Sequence, residues 1–191
     1  MPKLWTETID SHREAVRETI LDATWQLITE LGLAGVTMSQ IAARAGIGRA
    51  TLYKYFPDVE AVLLAWHQRH LSGHLTQLAE LAGRPGTPHQ RLHSVLTEFA
   101  FISHHREHHG AELSALLHRG KHADHATRRL TDLIAGLLDE SAAAGQARDD
   151  ASPHELAAFC LHAVTAASSL PSPAAVQRLV QIILDGLRAV R

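Results

Sequence analysis

The spacing of apolar residues along this chain excludes a β-sheet fold. Val, Ile, Thr and aromatic residues nowhere alternate at a period of two over the length of a strand. Instead, apolar residues recur every three or four positions, and glycine or proline interrupts them at helix-length intervals. The first stripe runs through Val16, Ile20, Ala23, Leu27 and Leu31. We therefore predict an all-α fold of about nine helices.

The residues at the ends of these segments predict where the helices begin. Ser11 with Glu14, and Ser152 with Glu155, have the spacing of a capping box, and Asp58 suits an N-cap. The predicted helices span residues 11–31, 39–45, 49–56, 58–81, 89–105, 111–118 and 123–144, and two more begin at Ser152–Pro153 and Ser172–Pro173.

Composition sets broad limits on the function. The chain has 191 residues, of which 46% are apolar and 20% charged, so it can bury a core and is not a disordered tail. Its formal charge of -2 gives no overall attraction to nucleic acid. A polar N-terminus, a single cysteine and no long apolar run predict a cytoplasmic protein with no membrane partner.

Residues 37–56, TMSQIAARAGIGRATLYKYF, carry the pattern of a helix-turn-helix. Ile41 and Ala45 supply the apolar face of a first short helix, and Gly46 allows a left-handed turn residue. Leu52 and Phe56 hold a second short helix against the first. The outer face of the second helix is left with Arg49, Thr51, Tyr53, Lys54 and Tyr55, groups that contact phosphates and base edges.

The segments VTMSQIAARAGIG and TLYKYFPD, with an amphipathic helix before them and a long helix after, resemble the tetracycline-repressor (TetR) family over residues 12–66. The resemblance implies a DNA-binding domain of three helices at 1–57 and a helical effector-binding and dimerisation domain at 58–191. It further implies a homodimer that binds a near-palindromic double-stranded DNA operator and is released by a small-molecule effector. Neither enzymatic activity nor a cofactor is expected.

Carried over by position, the resemblance assigns phosphate contacts to Thr37 and Ser39, at the start of the first short helix. It places Arg49, Thr51 and Tyr53 on the recognition helix, with Lys54 and Tyr55 beside them. Arg44 is a further candidate, and a solvated surface charge is its alternative. For Tyr53 the alternative is a partly buried core position.

The sequence departs from the family's pattern in two places. Pro57-Asp58-Val59-Glu60 stands where the family often has a phosphate-binding lysine, and Gly48 stands where a serine often caps the recognition helix. Between residues 31 and 57 there are three basic residues and no acidic ones, so the DNA-facing surface is predicted to be mildly positive. Operator binding should therefore depend only modestly on salt.

Ten of the fifteen histidines form five pairs at i and i+4, the spacing that places two imidazoles on one helix face. We take His104 and His108 as candidate metal ligands, so that a metal- or pH-sensing regulator using residues 104–125 is an alternative function. The same segment matches the H-x-x-E-H pattern of some metalloproteases, which makes a metal-dependent hydrolase a remote alternative. Histidines that merely decorate a helical surface are the alternative to all of these sites.

The C-terminal region offers an interface and a pocket. Two apolar stripes predict the dimer surface, with an intramolecular core as the alternative. The stripes contain Leu156, Cys160, Ala163 and Val164 on one helix, and Val176, Leu179, Val180, Ile183 and Leu187 on the next. Candidates for effector binding, by composition only, are Trp66, His70, Phe99 and Phe101, for which ordinary core positions are the alternative. A helical interaction module without a DNA role remains a further alternative.

Overall fold

The structure is a computed structural model that describes residues 3–32, 35–106 and 121–189. Within these ranges all regular secondary structure is helical, which confirms the predicted fold class. The eight α-helices there are α1 (Lys3–Leu31), α2 (Met38–Arg44), α3 (Arg49–Tyr55), α4 (Val59–Ala82), α5 (Pro88–Arg106), α6 (Lys121–Ala143), α7 (Pro153–Thr165) and α8 (Pro173–Gly186). A short 3₁₀ helix, Ala166–Ser169, follows α7. The predicted helix at 111–118 lies outside the described residues.

Two of the predicted helix caps are present. The backbone N–H of Glu155 donates to the Ser152 hydroxyl at 3.3 Å, and the N–H of Ser152 donates to the Glu155 carboxylate at 2.9 Å. At α4, the backbone N–H of Ala61 donates to the Asp58 carboxylate at 2.8 Å. These caps satisfy N–H groups that have no partner inside their own helix, so they define where α7 and α4 begin.

The predicted start of α1 is wrong. The helix begins at Lys3 rather than Ser11, so Ser11 is an interior residue and not an N-cap. Residues 3–31 contain neither glycine nor proline, so nothing in the sequence stops the helix from extending through the capping-box pattern.

The chain divides into two compact units, Met1–His70 and Leu71–Arg191, described separately below. The division lies inside α4, whereas the predicted domain limit at residue 57 lies just before this helix. In the N-terminal unit, fully buried side chains from α1, α2, α3 and α4 form the core: Ile20, Leu21, Ile41, Leu52 and Val62. No helix in the described part of the chain is long and apolar enough to cross a membrane.

The apolar stripes of α7 and α8 lie mainly in the core of the C-terminal unit. The predicted interface residues buried there are Leu156, Cys160, Val164, Val176, Val180, Ile183 and Leu187. Ala163 and Leu179 are partly buried against the same core. An apolar stripe shows that one face of a helix is covered, but it does not show which element covers it. In this chain, α5 contacts both helices. The seven buried side chains therefore pack inside their own unit, and the dimer interface stays a prediction.

The outward faces of α7 and α8 carry two large apolar side chains. Phe159 is 50% exposed and Ile182 is 68% exposed. A protein surface formed by these helices would therefore include Phe159 and Ile182 together with the partly buried Ala163 and Leu179.

Candidate nucleic-acid interface

The start of α2 is a complete capping box. Thr37 is the N-cap, and its hydroxyl accepts a hydrogen bond from the N–H of Gln40 at 3.3 Å. The N–H of Thr37 donates to the Gln40 side-chain oxygen at 2.9 Å. Both Thr37 and Ser39 are exposed. The Thr37 hydroxyl thus stabilises the start of α2, and its predicted phosphate contact stays a prediction.

The turn between α2 and α3 depends on Gly46. This residue has φ of 67°, in the left-handed region that glycine adopts without a steric penalty. The N–H of Ile47 donates to the carbonyl of Ala42 at 3.0 Å, and the N–H of Gly46 donates to that of Ala43 at 3.3 Å. This is a Schellman motif, and it confirms the predicted role of Gly46 as the residue that turns the chain into the next helix.

The N-terminus of α3 has no side-chain cap. Gly48 is the N-cap residue, with an extended backbone that any residue can adopt. A Cβ atom added there would meet only the Thr51 hydroxyl, at an ordinary 3.8 Å. The recognition helix therefore lacks one hydrogen bond that a serine at this position would supply.

One side of α3 is buried and the other faces outward. Leu52 is completely buried and Phe56 nearly so, and the guanidinium of Arg17 lies 5.6 Å from the centre of the Phe56 ring. The exposed residues are Arg49, Thr51, Tyr53 and Lys54, with Tyr55 half-buried. Tyr53 is 48% exposed, so it is not a core residue. The structure thus leaves four of the five predicted residues of α3 exposed and one half-buried, and it buries only Leu52 of this helix.

Arg44 is engaged by the first helix. Its guanidinium donates to both carboxylate oxygens of Glu30, at 2.8 and 2.6 Å. This hydrogen bond lowers the pKa of Glu30 and raises that of Arg44. The bidentate pair joins α2 to α1 and offsets the charge of Arg44. Glu30 stands one residue before the acid-free window of 31–57, so a charge count over that window misses it.

Trp66 and His70, two of the effector candidates, lie together against α1. The Trp66 ring stacks on Trp25 with centroids 4.6 Å apart, and the tilted ring of His70 has its centroid 4.4 Å from that of Trp66. Burial, and then the charge of Arg69, lower the pKa of His70. The contact of Trp66 with Trp25 was not predicted, since nothing local links residues 41 positions apart. Trp66 thus has a clear role in the core of the N-terminal unit.

The other two effector candidates belong to the C-terminal unit. Phe99 and Phe101 lie on α5 and are partly buried against the core of that unit. The structure does not describe a ligand, so their role in effector binding stays a prediction.

The proposed histidine site is only partly within the described residues. His104 lies on α5, and its Nδ1 is 3.0 Å from the carbonyl oxygen of Ala167. His108 falls outside the described ranges, so the metal-binding pair stays a prediction. Among the residues that the structure does describe, no group of three metal-binding side chains comes together.

Comparison with known proteins identifies the family. Residues 20–66 match the family model described as bacterial regulatory proteins, tetR family, and residues 87–189, over half the chain, match the model of the SbtR-like transcriptional regulator C-terminal domain. The chain belongs to the TetR family. This TetR-family chain is also 31% identical over 140 residues to the transcriptional regulator BetI of Brucella anthropi. The aligned residues cover 72% of this chain and 68% of BetI.

Two further comparisons agree. The transcriptional repressor KstR of Mycolicibacterium smegmatis is 38% identical over 82 residues, covering 42% of this chain and 39% of KstR, so less than half of that relative is matched. A TetR/AcrR-family regulator from Thermobifida fusca has the same fold, with a TM-score of 0.77 and 23% identity over 90% of this chain and 98% of the other. The chain is therefore a helix-turn-helix transcriptional regulator of the TetR family.

Proposed function

We propose that this TetR-family regulator is a dimeric repressor that binds a near-palindromic operator and leaves it when a small molecule binds the C-terminal unit. The observation that carries the proposal is the accessible face of α3. Leu52 anchors the helix while Arg49, Thr51 and Tyr53 stay exposed. A guanidinium, a hydroxyl and a phenol exposed on a short helix are suited to the major groove.

Each predicted DNA-binding residue takes a definite part in this proposal. Arg49, Thr51, Tyr53, Lys54 and Tyr55 contact bases or phosphates from α3, and Thr37 and Ser39 contact phosphates from α2. For Arg44 we propose a supporting role, in which its ion pair with Glu30 holds α2 against α1. Arg44 can then contact a phosphate only through the guanidinium N–H groups that Glu30 does not use.

The proposed dimer uses the outward faces of α7 and α8. These helices contact each other and expose Phe159 and Ile182, large apolar side chains that a partner copy would cover. A stable interface of this kind buries about 2,000 Å² or more. The two recognition helices of a dimer should then read half-sites about 34–36 Å apart.

The proposed effector is a small, largely apolar molecule. This class follows from the family resemblance and from the general character of small-molecule pockets. Phe99 and Phe101 on α5 are the candidates within the C-terminal unit, and they are partly buried there. Trp66 and His70 of the N-terminal unit are retained as lower-ranking candidates.

Selection of bound sequences from random DNA, followed by gel-shift titration, tests the proposal. We expect a near-palindromic site, and weaker binding by Tyr53→Ala and Lys54→Ala with the dimer intact by light scattering. Arg129→Ala, which removes an exposed charge on α6, is the control and should bind normally. Absence of any sequence-specific binding at moderate salt would contradict the DNA-binding function.

The dimer has its own test. Phe159→Glu and Ile182→Glu place a charge on the outward face of α7 or α8, and each should shift the protein to monomers in sedimentation experiments. His154→Glu changes an exposed residue at the start of α7 and serves as the control. If both face variants remain dimeric, a different surface forms the interface.

A further inference from the structure

A pocket of about 170 Å³ lies in the C-terminal unit, where the end of α6, residues 144–152 and the start of α7 meet. Its apolar lining comes from Leu138, Ala142, Ala151, Pro153 and Leu156. The two leucines are buried, and the alanines and the proline are half-buried. A cavity of about 150 Å³ lined by apolar side chains is large enough to hold benzene. This pocket therefore has room for a single six-membered ring or a short alkyl chain.

Hydrogen bonds hold each wall of the pocket in place. At the end of α6, the carbonyl of Ser141 accepts a hydrogen bond from the N–H of Gln146 at 2.8 Å. The backbone N–H of Arg148 donates to the carbonyl of Leu187 at 2.8 Å, which joins the connecting segment to the end of α8. At the start of α7, the capping box fixes the first turn. The pocket is thus formed without a ligand, which lowers the ordering cost of binding one.

Two carboxylates give the pocket a negative charge. Asp139 and Asp149 line it, and both residues are exposed. Within the described part of the chain, neither carboxylate has a hydrogen-bond or ion-pair partner. An ionised carboxylate accepts hydrogen bonds and cannot donate them. The free groups of the pocket are therefore acceptors that favour a cation.

Arg148 also lines the pocket, but its charge is offset. Its guanidinium donates to both carboxylate oxygens of Asp150, at 2.6 Å each, and to the carbonyl of Gly186 at 3.2 Å. Hydrogen bonding within the pair raises the pKa of Arg148 and lowers that of Asp150, so both groups stay charged. Because this arginine is committed to its neighbours, it does not neutralise the two free carboxylates.

The start of α7 offers little to an anion. Pro153 is the first residue of this helix and has no N–H group. The N–H of Glu155 donates to the Ser152 hydroxyl at 3.3 Å, and the N–H of Leu156 donates to the Ser152 carbonyl at 3.1 Å. The two free carboxylates therefore decide the charge of the ligand.

We propose that this pocket binds a small primary ammonium ion whose apolar body is one ring or a short chain. The body lies against Leu138 and Leu156, and the ammonium group, which has three N–H donors, donates to Asp139 and Asp149. No described residue of α5 lines the pocket, so the site is separate from the effector candidates on that helix. Binding itself does not depend on DNA, whereas a role of this site in releasing the operator rests on the proposed function.

Nuclear magnetic resonance titration of the full-length protein without DNA tests the ligand class. Benzylamine, which is protonated at neutral pH, is the probe, and we expect saturable shifts of the amides of residues 142, 149 and 151. The Kd should be about 1 mM, as a ligand of this size can reach. Benzyl alcohol has nearly the same shape without the charge and should bind about tenfold more weakly. Benzoate carries the opposite charge and should not bind.

Substitution of the carboxylates tests the charge. Asp139→Asn and Asp149→Asn should each weaken benzylamine binding about fivefold, because each removes a charged acceptor, and should leave benzyl alcohol binding unchanged. Glu80→Gln is the matched control, since it removes an exposed carboxylate of the same unit that does not line the pocket. It should bind benzylamine normally.

Filling the pocket tests its place. Ala142→Leu puts a larger side chain into the lining and should abolish saturable binding of benzylamine. Ala143→Leu makes the same change at the next residue of α6, which is exposed and does not line the pocket, and should bind normally. Circular dichroism checks that helix content is unchanged in both variants.

The proposal is overturned if benzyl alcohol binds as tightly as benzylamine, if both aspartate variants keep full affinity, or if Ala142→Leu still binds. Gel-shift titration with a selected operator separates this site from the proposed function. A protein that binds benzylamine but no operator contradicts the proposed function and supports the site. A protein that binds its operator but shows no saturable binding of benzylamine overturns the site alone.

Discussion

Operator binding should lose about half of its salt dependence when Lys54 is replaced by glutamine. On the exposed face of α3, Arg49 and Lys54 carry the positive charges, whereas the charge of Arg44 is offset by its bidentate contact with Glu30. The structure therefore reduces the effective charge from the three basic residues counted in the sequence to two per subunit. Asp58 and Glu60, exposed at the start of α4, add no attraction to phosphate.

The size of the effect follows from counterion release. Each neutralised phosphate on duplex DNA contributes about -0.9 to the slope of log K against log salt, so about four contacts in a dimer give a slope of about -3.6. Removing Lys54 from both subunits leaves a slope of about -1.8. Between 50 and 200 mM salt, the affinity should fall about 150-fold for the unsubstituted protein and about 12-fold for Lys54→Gln.

Fluorescence anisotropy with a selected operator, titrated at several KCl concentrations, measures both slopes. Lys54→Arg retains the charge and should keep the slope of the unsubstituted protein. Glu30→Gln removes the partner of Arg44, and if the freed guanidinium reaches a phosphate the slope should steepen to about -5.4. Circular dichroism checks that helix content is unchanged in each variant.

Two results would refute this charge assignment. A slope near -10 for the unsubstituted protein would mean that many more cations reach the DNA than the face of α3 provides. An unchanged slope in Lys54→Gln would mean that Lys54 does not neutralise a phosphate at all.

Three further predictions concern stability, each measured by chemical denaturation. Gly46→Ala should lower the free energy of unfolding by about 1–2 kcal/mol, because φ of 67° disfavours a side chain. Gly46→Asn should lower it by less, since asparagine tolerates this backbone conformation better. Equal losses in the two variants would contradict the left-handed conformation as the cause. Gly48→Ser should raise the free energy of unfolding by about 0.5 kcal/mol, because its hydroxyl supplies a new cap on α3. Gly48→Ala adds no hydroxyl and should not raise it. Because burial lowers the pKa of His70, its contribution should be complete above about pH 6.5 and be lost as the pH falls through the lower folded-state pKa. The difference in free energy of unfolding between the unsubstituted protein and His70→Gln should therefore vary with pH below about pH 6.5. A difference that stays constant over this range would contradict a lowered pKa of His70.

Local chemistry explains why much of the fold was predictable. A glycine that permits a left-handed turn at Gly46, a capping box at Ser152 and an aspartate cap at Asp58 act over only a few residues, so their structural effects can be read from neighbouring residues. The exposed face of α3 was predictable for the same reason, since the burial of Leu52 decides which side chains point away.

Local chemistry was insufficient at the start of α1. Ser11 and Glu14 have the spacing of a capping box, yet the helix continues back to Lys3. A cap pattern permits a helix to begin but does not prevent an earlier beginning, and without a glycine or proline the preceding residues join the helix.

The sequence by itself therefore determined the helical class, the helix-turn-helix and the residues of its outer face. Only the tertiary structure decided what covers each helix. It paired Arg44 with Glu30, stacked Trp66 on Trp25, and turned the apolar stripes of α7 and α8 into the core of the C-terminal unit. The physical reason is that burial and ion pairing are properties of two surfaces, whereas the spacing of residues along a helix describes only one of them.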